Sequence, residues 1–245
     1  MPRKMTLDTL VAQLVAALGS ELRAVVLYGS AATGEHIAKQ SDLNVLVIAD
    51  RLDLDALRKE AAVARAWSEA GNAAPLTLTT EEWRSSADIF PMEYADILAH
   101  HRVLHGEPPF DGIQVDPRNL RLQLEHQAMG KLLQLRRGII AAHGEQERLV
   151  ALLAASLTTF MVIFRSLIRL SGDEPPTDYE ALSREVATRA RFDAEPFLRV
   201  VRHVRGGERL PERDLPAVLG GYLAGAEKLA SHIDGLDGGG GGSEA

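Results

Sequence analysis

Residues 25–48, VVLYGSAATGEHIAKQSDLNVLVI, hold two apolar, β-branched runs around a polar insert. Ala24–Tyr28 is short and wholly apolar but for its last hydroxyl, which predicts a buried strand. Leu43–Ala49 predicts a second strand, with Asn44 its only polar residue. Between them come a Gly29-Ser30 turn, a linking segment over residues 31–38 with room for one or two helical turns, and Ser41-Asp42 at the mouth of the second strand. Gly29 lets the chain turn tightly and lets a ligand come close to the backbone. Ser30 stands where a helix would begin, so its hydroxyl and the N–H groups after it suit phosphate oxygens. The Asp42 carboxylate, opening the next strand, could face the same point and hold Mg2+ against that phosphate.

Working outward, Leu7–Leu18 has apolar residues at helical spacing and is closed by Gly19-Ser20. Asp53–Glu69 predicts a helix ending at Gly71-Asn72, and Pro75–Thr80 alternates as a third strand. Thr80–Arg84 carries an N-cap followed by acidic first-turn residues. Ile89–Leu104 predicts a further helix. Gly106–Pro117, dense in Gly, Pro and Asp, is the expected domain boundary. Beyond it Leu120–Ala142, Gln146–Leu170, Tyr179–Arg189, Glu195–Val204 and Leu215–Ile233 all predict helices, so the second half reads as an antiparallel bundle without strands. The expected division is 1–110, 118–236 and a low-complexity Gly-rich tail, 237–245, expected to be disordered.

The Gly29-Ser30 turn, followed a dozen residues later by Ser41-Asp42-Leu43-Asn44 and an apolar strand, resembles the signature of the DNA polymerase beta-type nucleotidyltransferase superfamily. The helical half resembles the bundles of small bacterial members, including aminoglycoside adenylyltransferases. The resemblance implies an α/β nucleotidyltransferase-like domain with a small mixed sheet, followed by an all-α helical bundle, with a cleft between the two. It implies that Gly29 and Ser30 hold the β- and γ-phosphates of a nucleoside triphosphate and that Asp42 ligates Mg2+. The acceptor hydroxyl, on a small molecule or a protein, is expected against the helical half.

Two departures bear on catalysis. The family pattern is Ser-Asp-x-Asp, because period-2 alternation aims two carboxylates at shared metal ions; here the second position is Asn44. An amide offers a neutral oxygen and lacks the charge that phosphoryl transfer uses. The family's third carboxylate is expected on a following strand, and Pro75–Thr80 contains no acid, although Glu93 and Asp96 come soon after it. A site with Asp42 alone would bind Mg2+ weakly and together with nucleotide, which leaves a nucleotide-binding pseudoenzyme or an antitoxin-like interaction protein as the alternative to a working transferase. Asp42 and Asn44 are the candidate catalytic residues.

Other groups carry weaker expectations. Arg165 and Arg169, one turn apart on an otherwise apolar helix, are candidates to meet the triphosphate. His100, His101 and His105 are too few and too poorly placed on a helix for a metal cluster. The chain has no cysteine, which excludes disulfides and thiolate zinc sites. A net charge of −7 argues against nucleic acid as partner. The longest apolar run, Val150–Phe164, is too short to span a bilayer. A cytoplasmic location is expected; the sequence does not fix the oligomeric state, although an acidic helical bundle could form a homodimer.

Overall fold

The computed structural model describes residues 5–32 and 43–236. They divide into two units, residues 1–115 and 116–245, each with its own core.

The first unit is a four-stranded mixed sheet between two layers of helices. Strands β1 (Leu22–Tyr28), β2 (Asn44–Ala49), β3 (Leu76–Thr79) and β4 (His101–Gly106) lie in the order β3-β2-β1-β4. β1 runs antiparallel to both β2 and β4, while β2 and β3 are parallel, as expected when a crossover helix joins them. That crossover is α2 (Leu54–Glu69), opened by the Asp53 side chain, which accepts from the Ala56 N–H at 2.9 Å. Period-2 alternation decides which side chains go where. Val25, Leu27, Val45 and Val47 point to α1 (Leu7–Leu18) and α2, packing on Leu10, Leu14, Val63 and Trp67. Ala24, Val26, Leu46 and Ile48 point the other way, onto Trp83, Tyr94 and Ile97. These last belong to α3 (Thr80–Ser85) and α4 (Pro91–Ala99). The same parity sends Tyr28 and Asn44 to the α4 side.

Helix α3 starts on a capping box: the Thr79 hydroxyl accepts from Glu82 N–H at 3.1 Å, and the Glu82 carboxylate accepts from Thr79 N–H at 2.7 Å. Helix α4 is held by Tyr94, whose hydroxyl donates to the Trp83 carbonyl at 2.6 Å and whose ring stacks on Trp83 at 4.1 Å.

One sequence expectation is corrected. Ile89–Leu104 is not one helix: α4 ends at Ala99, His100 is extended (φ −134°), and His101–Gly106 forms the edge strand β4. Its alternation was hidden because β4 borders solvent with polar residues on both faces, and a bulge between Val25 and Val26 shifts its register on β1. Gly106 closes the strand at φ +71°; a Cβ there would sit 1.9 Å from the Arg23 carbonyl oxygen, so only glycine allows the approach.

The second unit is all helical among the described residues: α5 (Pro117–Ala141), α6 (Gln146–Leu170), α7 (Tyr179–Ala190), α8 (Glu195–Val204) and α9 (Leu215–Asp234). Helix α6 packs against the other four. By length and composition it could cross a membrane, but 56% of its most apolar window is buried, so it serves as the core helix of the bundle. Phe160 and Phe164 of α6 meet Phe192, Phe197 and Tyr222 in one aromatic cluster. The Gly-rich tail and residues 33–42 lie outside the described residues.

Candidate functional site

The end of β1 and the start of β2 are hydrogen-bonded neighbours, with Tyr28 opposite Asn44, and Tyr28 also faces His101 on β4. Gly29 follows at φ +74°, the left-handed region, and starts a single 3-10 turn, Gly29–Ala31. The turn predicted at Gly29-Ser30 is therefore present. With no Cβ on Gly29, the side chains of Asn44 and Asp96 come close to its backbone. A Cβ there would lie 3.3 Å from the side-chain amide nitrogen of Asn44 and 3.7 Å from a carboxylate oxygen of Asp96.

Asp96 comes from α4, not from a strand. Pro75–Thr80 supplies β3, but β3 joins the sheet beyond β2 and brings no acid. The acid arrives from the helix that covers the α3–α4 face, where Asn44 also points. Glu93 and Asp96 are three residues apart on α4 and so share one face. Tyr28 registers both: burial pushes its phenol above the ordinary value, and the charges of Asp96 and then Glu93 push it the same way. A strand amide and one helix carboxylate, Asp96, therefore meet beside the Gly29 turn, next to the half-buried Tyr28 phenol.

Asp42, the expected Mg2+ ligand, lies outside the described residues. Among the described residues no three His, Cys, Asp or Glu side chains group closely enough to hold a metal. Of the groups beside Gly29, the Asp96 carboxylate is a hard oxygen ligand of the kind Mg2+ takes, while Asn44 turns its amide nitrogen to the turn. His101 is otherwise engaged: its Nδ1 lies 2.9 Å from the Ile97 carbonyl and its ring sits edge-on to Phe110. The signal for Asp96 was present in the sequence as an acid soon after β3, without the helix position needed to aim it.

Arg165 and Arg169 belong to the second unit, in the last turns of α6. The Arg165 guanidinium lies 5.3 Å from the Tyr179 ring centre, and Arg205 lies over the same ring at 4.0 Å. Arg169 is in the last turn, where a cation suits the helix dipole.

No protein-family model matches the chain, and no curated protein matches it. Solved structures do. A spectinomycin adenyltransferase, AAD(9) from Enterococcus faecialis, with ATP and spectinomycin, superimposes with a TM-score of 0.58 at 11% identity, over 92% of this chain and 97% of that one. A toxin–antitoxin structure with AMP-PNP matches 42% of this chain and 75% of its own at 18% identity, with a TM-score of 0.30, too low to define a shared fold. At 11% identity the first likeness is one of fold. The chain has the fold of a nucleotidyltransferase, a small mixed sheet with an α/β unit followed by a helical unit.

Proposed function

We propose that this chain binds a magnesium nucleoside triphosphate at the Gly29 turn and transfers the nucleoside monophosphate slowly to a hydroxyl acceptor. The observation that carries the reading is the meeting of Asn44 and Asp96 at Gly29. Gly29 and Ser30 then cradle the phosphates, with Asp42 and the neutral amide oxygen of Asn44, at the start of β2, as the ligands for Mg2+. Asp96 takes the proton from the acceptor hydroxyl, whose oxygen bonds to the α-phosphorus as the bond to pyrophosphate breaks. Bound Mg2+ supplies positive charge against the phosphate oxygens. A small-molecule acceptor is favoured by the similar adenyltransferase, which was solved with spectinomycin.

Asn44 favours a second reading, nucleotide binding without turnover, since it removes one charge from the expected ligand pair. Transfer of label from an α-labelled triphosphate to a panel of polyhydroxylated acceptors separates the two. The transferase reading expects slow transfer that rises on the order of 10²-fold in Asn44→Asp. Absence of transfer in the natural chain with gain in Asn44→Asp identifies a lapsed enzyme. Absence in both, with binding intact, leaves the binding reading.

A further inference from the structure

Helix α5 buries one face, with Leu120, Leu124, Ala128, Leu132 and Leu135 against the bundle. On its other side stand Leu122, Met129, Leu133 and Ile140, exposed by 59%, 47%, 43% and 73%. At about 100° per residue these four fall within about 20° of a single line along the helix, roughly 27 Å long. A surface helix carries its apolar residues on its buried side, so a second apolar line facing solvent marks a face that expects a covering surface.

The spacing identifies what covers it. Leu122 and Ile140 lie equally far before and after Lys131, as do Met129 and Leu133. A copy of α5 laid antiparallel across a two-fold axis at the height of Lys131 places Leu122 opposite Ile140 and Met129 opposite Leu133, twice over. Such self-complementarity is what an isologous contact requires. The charges agree with it. On one flank of the stripe stand Glu125 and Arg136, and the same two-fold operation brings Glu125 of each copy beside Arg136 of the other. Within one chain these groups pair with Arg121 and Glu227, so the contact would join two existing ion pairs into a network.

Gly130 lies beside the stripe. It sits exposed in the middle of a 25-residue helix, where glycine costs about 1 kcal/mol relative to alanine. Among the described residues nothing outside its own stretch of helix lies within 4 Å of where its Cβ would be, so packing there does not demand glycine. It lies one residue from the height of the axis and about 80° around the helix from the stripe, on the side that borders α9. Beside it runs a groove of about 440 Å3 lined by Met129, Gly130, Leu133 and, from α9, Ala230 and Asp234.

We propose that the chain forms a symmetric homodimer through antiparallel α5 helices, with Met129 and Leu133 of each copy at its centre. Sedimentation equilibrium of the full chain tests it first, with twice the chain mass expected at high concentration. Met129→Glu with Leu133→Glu, with circular dichroism and the melting temperature confirming the native fold, should raise the dissociation constant on the order of 100-fold or more. Register is tested by oxidation, since the chain has no cysteine of its own. A mixture of Met129→Cys and Leu133→Cys proteins should form disulfide dimers several-fold faster than either alone. The proposal is overturned by a monomer at every concentration, by a dimer that survives the double glutamate variant, by cross-linking no faster in the mixture, or by a different chain found seated on this face.

Discussion

Asn44 and Asp96 approach one point from a strand and a helix, within 4 Å of the Cβ that Gly29 lacks. An amide nitrogen and a carboxylate oxygen therefore stand side by side at the turn. One of the two is neutral, and the charge at this point is supplied from α4.

Gly29→Ala tests that geometry. An alanine at φ +74° costs about 1–2 kcal/mol in backbone strain, and its methyl crowds the Asn44 amide. The first unit should melt earlier, and triphosphate affinity should fall on the order of 10-fold, an effect of about 1.4 kcal/mol. An alanine variant with unchanged melting and affinity would show that the space above Gly29 is not used.

Asp96→Asn should lower the Tyr28 phenol pKa, because the Asp96 charge is one of the groups that raise it. With the folded value raised, the stability linked to Tyr28 is complete below the unfolded tyrosine value of about 10 and is lost as pH climbs through the folded value. Removing the Asp96 charge narrows that gap, so the alkaline loss of stability shrinks. Tyrosine ring-carbon NMR against pH reads the shift directly. Under the transferase reading the same variant loses on the order of 10²-fold or more in turnover.

Most of the helices and three of the four strands were legible because their patterns are unbroken: Val45–Ala49 is continuous and apolar, and Leu7–Leu18 keeps a clean helical period. The strand β4 was not, because His101, Arg102 and His105 interrupt it and it has a neighbour on one side only. The candidate site was half legible. Gly29 and Asn44 follow from local pattern and strand parity, which need only nearby sequence. Asp96 depends on α4 packing over the sheet through Tyr94 and Ile97, a long-range fact that no spacing encodes.

The bundle offers a test of hydrogen-bond direction. Ser156 donates to the Leu153 carbonyl at 2.8 Å, so at the 2.8 Å contact between Ser156 and Tyr222 the phenol must be the donor. Burial pushes the Tyr222 phenol far above its ordinary value. Ser156→Ala strands a buried donor and should cost about 1–3 kcal/mol, whereas Tyr222→Phe removes the donor and should cost about 1 kcal/mol. Denaturant midpoints in the reverse order would refute the assignment.

Glu60 is 6% exposed under β3; the Thr77 hydroxyl donates to one of its oxygens, and the other has no partner among the described residues. Burial raises its pKa, so its contribution to stability is complete below the unfolded carboxyl value and is lost as pH rises through the folded one. Glu60→Gln should therefore gain stability relative to the natural chain as pH rises from acid to neutral. Thermal melts at several pH values check the sign, and a gain confined to acid pH would reverse it.

The central claim is tested most directly by calorimetric titration of the full chain with ATP, GTP, CTP and UTP, each with and without Mg2+. The account predicts magnesium-dependent binding of at least one nucleotide, weakened in Asp42→Ala and in Gly29→Ala. Absence of heat with all four would contradict it, leaving a nucleotidyltransferase fold that does not hold nucleotide.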